Sequence, residues 1–306
     1  MTYNSLLELT EAFPTEQSCI RHLEKLRWPE GVVCPNCQAS RKIGEIKTRN
    51  LYKCGDCKKQ FSVRIGTIFE ESRISLRKWF MAIWLISSHK KGISSCQLAK
   101  DIRVTQKTAW FMLHRIREIS SKINGGTSHL TGLVEIDDTY IGGKERNKHK
   151  DKRLTGTQGR SIKGKTPVFG MMQRGGNIKT FKVKNLQGVT VNVIVRENVA
   201  PKARVITDEY TGYQFEPLGL DQQRVNHSRR EYVIGQLHTN NIEGAWSLLK
   251  RGILGIYHHV SDKHLQRYLD EFVSKFNSRK TKDPIRVDNF LAGSEGLRLT
   301  YEGLTS

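Results

Sequence analysis

The stretch Leu133-Val-Glu-Ile-Asp137-Asp138-Thr-Tyr-Ile141 has the apolar, β-branched character of a buried strand, yet it carries carboxylates within and near its end. A carboxylate taken out of water costs free energy unless it is paired or bound to a metal. A second apolar run, Arg204-Val-Ile-Thr-Asp208-Glu-Tyr, also ends on an acid. Taken singly, either acid reads equally well as a salt-bridge partner or as a turn or cap aspartate. Two of them at strand ends are harder to explain that way.

Around these runs the pattern is mixed α/β. Strands are predicted over 132–141, 166–173, 178–183 and 203–207, with a helix over 189–198 before the last of them and a mainly helical remainder. The segment His238-Thr-Asn-Asn-Ile-Glu243-Gly-Ala-Trp246-Ser-Leu-Leu-Lys250-Arg-Gly252 opens an amphipathic helix. Glu243, Trp246 and Lys250 recur at i, i+3 and i+7, so one face presents both a carboxylate and a lysine. Glu243 follows Asp208 after 34 intervening residues. His238, His258 and His259 read as structural or nucleic-acid-contacting side chains.

Towards the N-terminus the pattern is different. Cys34-Pro-Asn-Cys37 and Cys54-Gly-Asp-Cys57, separated by sixteen residues, have zinc-ribbon spacing. Each Cys-x-x-Cys turn places two thiolates on one side of an ion, and two such turns close a tetrahedron. The predicted Zn²⁺ is therefore structural. Two disulfides are the alternative, disfavoured because nothing suggests export. Cys19 and Cys96 fall outside the pattern and are expected as buried small apolar residues.

After the ribbon, Ser75 is expected to cap a helix that ends near Gly92, with Trp79, Phe80, Ile83, Trp84 and Ile86 as core. Two further helices, 95–102 and from Gln106 to about Ile119, form a helix-turn-helix pattern, with Ser94 and Thr105 as caps. Gln106, Lys107, Thr108 and Arg115 are the candidate DNA-contacting residues of the second helix. A plain helical hairpin competes with this reading. The turn lacks glycine, so Arg103 must either adopt an unfavourable conformation or use another turn.

The chain has 306 residues, enough for two or three domains, and 51 Lys and Arg against 30 Asp and Glu, a net charge of +21. Such an excess attracts polyanions, nucleic acid above all. Thirteen of the cations fall between Lys144 and Lys184, against two acids, and 144–165 reads as a Gly-rich loop suited to a phosphate backbone. No apolar run approaches the ~18 residues of a membrane span, and no secretory signal is visible, so a cytoplasmic protein is expected. Predicted domains are residues 1–70 (N-terminal helix and ribbon), 71–124 (helix-turn-helix) and 131–290 (catalytic), followed by a tail over 291–306.

The strings VEIDDTYIGGK, VITDEYTGY and HTNNIEGAWSLLKRGI, behind a cysteine ribbon and a helix-turn-helix, resemble the ISXO-like group of DDE-type insertion-sequence transposases. The likeness runs from about Phe13 to about Asn289. It implies an RNase H-like catalytic domain, catalytic Mg²⁺ or Mn²⁺ held by Asp137, Asp208 and Glu243, a supporting Lys250, and cleavage of element ends followed by strand transfer. It further implies double-stranded DNA as partner and a homo-oligomer on that DNA. Members of this group often carry Asn as the third ligand, so Asn240 and Asn241 stand beside Glu243 as candidates, Asn240 foremost. The rival readings are a DNA-binding regulator or inactive relic, and a metal-dependent nuclease without strand transfer.

Overall fold

The computed structural model describes residues 3–143, 149–155, 163–208, 212–215, 218–225 and 238–306. The chain divides into two compact units, residues 1–123 with 280–306, and residues 124–279.

The first unit begins with α1 (Leu6–Ala12) and α2 (Glu16–Arg27), capped by Ser5 and Thr15. In α2, Thr15 and Ser18 form a reciprocal capping box. The ribbon follows as β1 (Ile43–Ile46), β2 (Leu51–Cys54) and β3 (Gln60–Phe61), antiparallel in that order. Then come α3 (Leu76–Ser88), α4 (Ser95–Asp101) and α5 (Gln106–Gly125). Ser75, Ser94 and Thr105 accept the first-turn amides of these helices as expected. Arg103 does take the left-handed conformation, at φ 51°. Trp79, Phe80, Ile83 and Ile86 are core, and Trp84 is half-buried. The helix 106–125 outruns its expected end near Ile119, and past that point Ile123 still packs against the core.

In the second unit β4 (Leu133–Ile141), β5 (Thr166–Gln173), β6 (Ile178–Lys182), β7 (Arg204–Thr207) and β8 (Asp221–Arg224) form one sheet in the order β6-β5-β4-β7-β8. β4 pairs antiparallel with β5 and parallel with β7, and β8 extends the parallel side. That mixed arrangement is the one expected of an RNase H-like sheet. Helix α6 (Gly188–Asn198) covers one face, where Val191 and Val195 meet Val134 and Ile136 of β4. Helices α7 (Asn240–Gly252) and α8 (Leu265–Asn277) cover the other, packing Ile242, Trp246, Leu269 and Phe272 against Val168 and Met172. β5 is buried over Pro167–Met172, as a strand covered on both faces should be.

The chain then returns to the first unit as α9 (Asp283–Gly293) and α10 (Tyr301–Thr305). Val287, Phe290 and Leu291 of α9 and Leu304 of α10 join the core that holds Phe61 of the ribbon together with Trp79, Ile83 and Met112. Ribbon and helix-turn-helix thus share one apolar core rather than forming separate domains over 1–70 and 71–124. The sheet domain stops before 290, and 291–306 is packed rather than a tail. The sequence hides this because a segment distant in the chain supplies the missing part of the core.

Candidate functional site

Alternation along β4 sends Val134 and Ile136 to the α6 face and Glu135 and Asp137 to the α7 face. The parallel register pairs Glu135 with Ile206. Asp208 directly follows Thr207, the last residue of β7. Glu243, in the first turn of α7, is exposed and accepts from Thr239 Oγ1 at 2.9 Å. Asp137 is half-buried, and its carboxyl is pushed up to about 7. Burial is the main cause, followed by the charge of Asp138 and then those of Asp208 and Glu243. The charges of the other two predicted carboxylates therefore reach Asp137.

Trp246 orients this group. Its indole Nε1–H donates to Asp137 Oδ2 at 3.1 Å. The ring fits only because residue 170, opposite Asp137 on β5, is glycine. A Cβ there would lie 2.4 Å from two ring carbons of Trp246. Asp138 points the other way and accepts from the buried Tyr213 hydroxyl at 2.6 Å. Burial and the Asp138 charge raise the Tyr213 pKa, so the hydroxyl stays protonated. Of the two adjacent aspartates, only Asp137 lies on the α7 side.

Lys250 is exposed on α7, seven residues after Glu243 and so roughly 10 Å along the same helical face. Asn240 is exposed at the first position of α7, whereas Asn241 is tied to Glu135 through its backbone N–H and Nδ2. Glu135, Arg174, Gly170 and Tyr213 were not among the residues expected from sequence. Glu135 carried a signal, as a third acid in the same apolar strand.

In the ribbon, Cys34 Sγ lies 3.7 Å from Cys57 Sγ, and Cys37 Sγ lies 3.6 Å from Cys54 Sγ. All four sulfurs fall within 4.8 Å of one another. A tetrahedron with Zn–S near 2.3 Å has edges of about 3.8 Å, and a disulfide would need about 2.05 Å. The donor set and its spacing therefore fit structural zinc. Burial works against a Cys34 thiolate, yet the N–H groups of Cys37 and Asn36 bring its pKa down to about 6. Among the described residues this quartet is the one group of three or more Cys, His, Asp or Glu drawn so close; the carboxylates are more loosely spaced. Cys19 is buried as expected, but Cys96 is exposed at the start of α4.

Of the candidate DNA contacts, Gln106 and Lys107 are exposed at the start of α5, and Thr108 is half-buried. Gln106 Nε2 reaches Ser95 Oγ at 2.8 Å, and Lys107 Nζ sits 4.6 Å from the centre of the Tyr301 ring. Arg115 does not belong with them. It is 7% exposed, and its guanidinium donates to the carbonyls of Leu299, Ile68 and Glu70. Position 115 lies on the inward side of α5, beside Met112, Ile116 and Ile119. Of the basic stretch 144–165, residues 144–148 and 156–162 lie outside the described residues.

Comparison with known proteins adds the following. The family model of the ISXO2-like transposase domain matches residues 129–277. The transposase zinc-ribbon domain matches residues 14–60. An uncharacterized protein in transposable element ISH50 of Halobacterium salinarum is 31% identical over 275 residues, which cover 86% of this chain and 91% of that protein. An uncharacterized transposase-like protein of Haemophilus influenzae is 29% identical over 111 residues, 36% of this chain and 89% of that protein. Among solved structures, a pre-cleavage Mos1 transpososome aligns with 70% of this chain and 78% of that chain at 13% identity and a TM-score of 0.30. The Mos1 strand transfer complex aligns with 71% and 78% at 12% identity and a TM-score of 0.28.

Proposed function

We infer that this chain, which belongs to the ISXO2-like transposase family, cuts the ends of its DNA element and joins them to target DNA at a centre formed by Asp137, Asp208 and Glu243. The observation that carries this reading is the placement of Asp137 on β4, Asp208 just past the end of β7 and Glu243 in the first turn of α7, with the charges of Asp208 and Glu243 both reaching Asp137. Carboxylates gathered at strand ends in a chain of net charge +21 suit the holding of cations beside phosphate rather than packing.

Hard oxygen donors of this kind suit Mg²⁺ or Mn²⁺ with part of the shell left to water and phosphate oxygens. Two such cations supply stabilisation of the attacking and leaving oxygens of a phosphodiester displacement. The chain's own residues prepare the site. Trp246 holds one Asp137 oxygen, the Thr239 hydroxyl holds one Glu243 oxygen, and the cation of Lys250 faces outward, where it can take up a DNA phosphate. The nucleophiles are water for cleavage and a DNA 3′-hydroxyl for joining, so no side chain forms a covalent bond. Glu243 rather than Asn240 is the third ligand in this account, because an anionic carboxylate is a stronger donor to a hard cation than a neutral amide. Gln106, Lys107 and Thr108 at the start of α5 contact the element ends, and the protein works as a homo-oligomer on double-stranded DNA in the cytoplasm.

The test is incubation of the protein with a labelled element end and a supercoiled plasmid in Mg²⁺ or Mn²⁺. Joined product is expected. Nicking without joining would make the protein a nuclease, and end binding with no product in either metal would make it a regulator or relic. Glu243→Ala is expected to abolish product and Asn240→Ala to leave most of it, and the reverse result would transfer the third ligand to Asn240. Lys250→Ala is expected to be the milder lesion.

A further inference from the structure

Glu135 is fully buried two residues before Asp137, on the same face of β4. It is not left unsatisfied. Its Oε2 accepts the backbone N–H groups of Asn241 at 3.0 Å and Ile242 at 3.1 Å. Its Oε1 accepts Asn241 Nδ2 at 2.7 Å and, from Arg174, Nε at 3.0 Å and Nη2 at 2.8 Å. Arg174 stands in the turn between β5 and β6 and also donates to the His238 carbonyl at 3.0 Å. His238 Nδ1 lies 3.7 Å from the same Oε1.

Asn241 and Ile242 are in the first turn of α7, where amides have no partner within the helix and the dipole favours an anion. Thr239, the residue at the cap position, makes no capping bond with its side chain, and its hydroxyl goes to Glu243 instead. The cap of α7 is therefore supplied by the sheet. The same strand holds the helix a second time, through Asp137 and Trp246. Glu135 and Asp137 are two strand residues apart, about 6.7 Å. Ile242 and Trp246 are four helical residues apart, about 6 Å. The near match lets helix and strand be fastened at two points, which fixes both the axial position and the rotation of α7. Glu243 lies between the two fastenings.

We propose that Glu135 is a positioning residue of the carboxylate centre, which with Arg174 clamps the start of α7 so that Glu243 is held opposite Asp137. The proposal rests on the reading of Asp137, Asp208 and Glu243 as the catalytic centre. Glu135→Gln keeps the shape but turns one acceptor into a donor facing donors.

Two readouts on the full chain decide it, both taken well below the unfolding temperature of the variant. The first is hydrogen exchange at the Trp246 Nε1–H, which a purely local role for Glu135 would leave alone. The second is single-turnover cleavage of a pre-bound element end as a function of Mn²⁺ concentration. Glu135→Gln is expected to speed the indole exchange, leave end affinity unchanged and raise the half-saturating Mn²⁺ on the order of 10–100-fold. Unchanged indole exchange, or wild-type Mn²⁺ dependence, overturns the clamp. Should Glu135→Gln not fold, Arg174→Lys, which keeps the charge but loses the Nε donor, is expected to shift both readouts the same way by less, and wild-type values for it overturn the clamp equally. If the wild-type protein shows no Mn²⁺-dependent cleavage at all, the catalytic reading fails, and the indole exchange alone then decides the clamp.

Discussion

Replacing Arg115 by alanine should destabilise the first unit as a whole rather than act at a DNA-contacting surface. The guanidinium is 7% exposed and donates Nε to Leu299 O at 3.1 Å and Nη1 to Ile68 O at 2.9 Å and Glu70 O at 3.1 Å. It also sits 4.7 Å from the centre of the Phe111 ring. Burial pulls its pKa below the ordinary arginine value, a sign of the desolvation that those carbonyls offset. Truncation strips three buried carbonyls of a charged donor at about 1.5–3 kcal/mol each and recovers part of the desolvation, leaving a net loss of about 3 kcal/mol. For a folding unit of roughly 150 residues, at 2–4 °C per kcal/mol, the transition should fall by about 6–12 °C. Arg115→Lys keeps the charge but not the fork and should lose about half as much. Thermal unfolding followed by circular dichroism, beside an end-binding titration at fixed salt, checks this. Melting within about 1 °C of wild type together with a large loss of affinity would restore Arg115 to the DNA surface and refute the reasoning.

Chelation of zinc should unfold the segment Cys34–Cys57, and because the ribbon shares its core with α3 and α5 the rest of that unit should lose stability with it. Fresh reduced protein should contain about one zinc per chain, and less than about half would contradict the site. Cys37→Ser should mimic chelation, while Cys96→Ser, at an exposed position outside the quartet, should not. Gly170→Ala forces a methyl group to within 2.4 Å of two Trp246 ring carbons and should cost about 1–3 kcal/mol as α7 shifts. Cleavage should fall with end binding intact, and wild-type cleavage by this variant would show that the seat of Trp246 does not matter.

Much of the sheet and its acids was legible in the sequence because buried strands announce themselves by apolar runs, and an acid inside one stands out. The expected strand over 166–173 matches β5 residue for residue. β8, Asp-Gln-Gln-Arg, was missed because a short polar edge strand has no apolar period to read. The cysteine quartet was legible from spacing alone. Arg115 was misjudged because charge suggested a surface, and only the fold reveals the carbonyls of Ile68, Glu70 and Leu299 that let a cation be buried. The compact units do not follow the expected boundaries at 70 and 290 for a related reason. The core of the first unit is completed by α9 and α10, far along the chain, and no local pattern marks that return. Glu135 escaped notice because its partners, Arg174 and the first turn of α7, are 39 and 106–107 residues away.

The most direct measurement of the central claim is cleavage and joining of a labelled element end by Asp137→Asn and Asp208→Asn, with Mg²⁺ and with Mn²⁺, beside the end affinity of each variant. Both substitutions keep the side-chain shape and remove the charge a cation needs. The account predicts wild-type affinity, no joined product and no cleaved product from either variant in either metal. Wild-type product from either one would contradict the assignment of the catalytic centre.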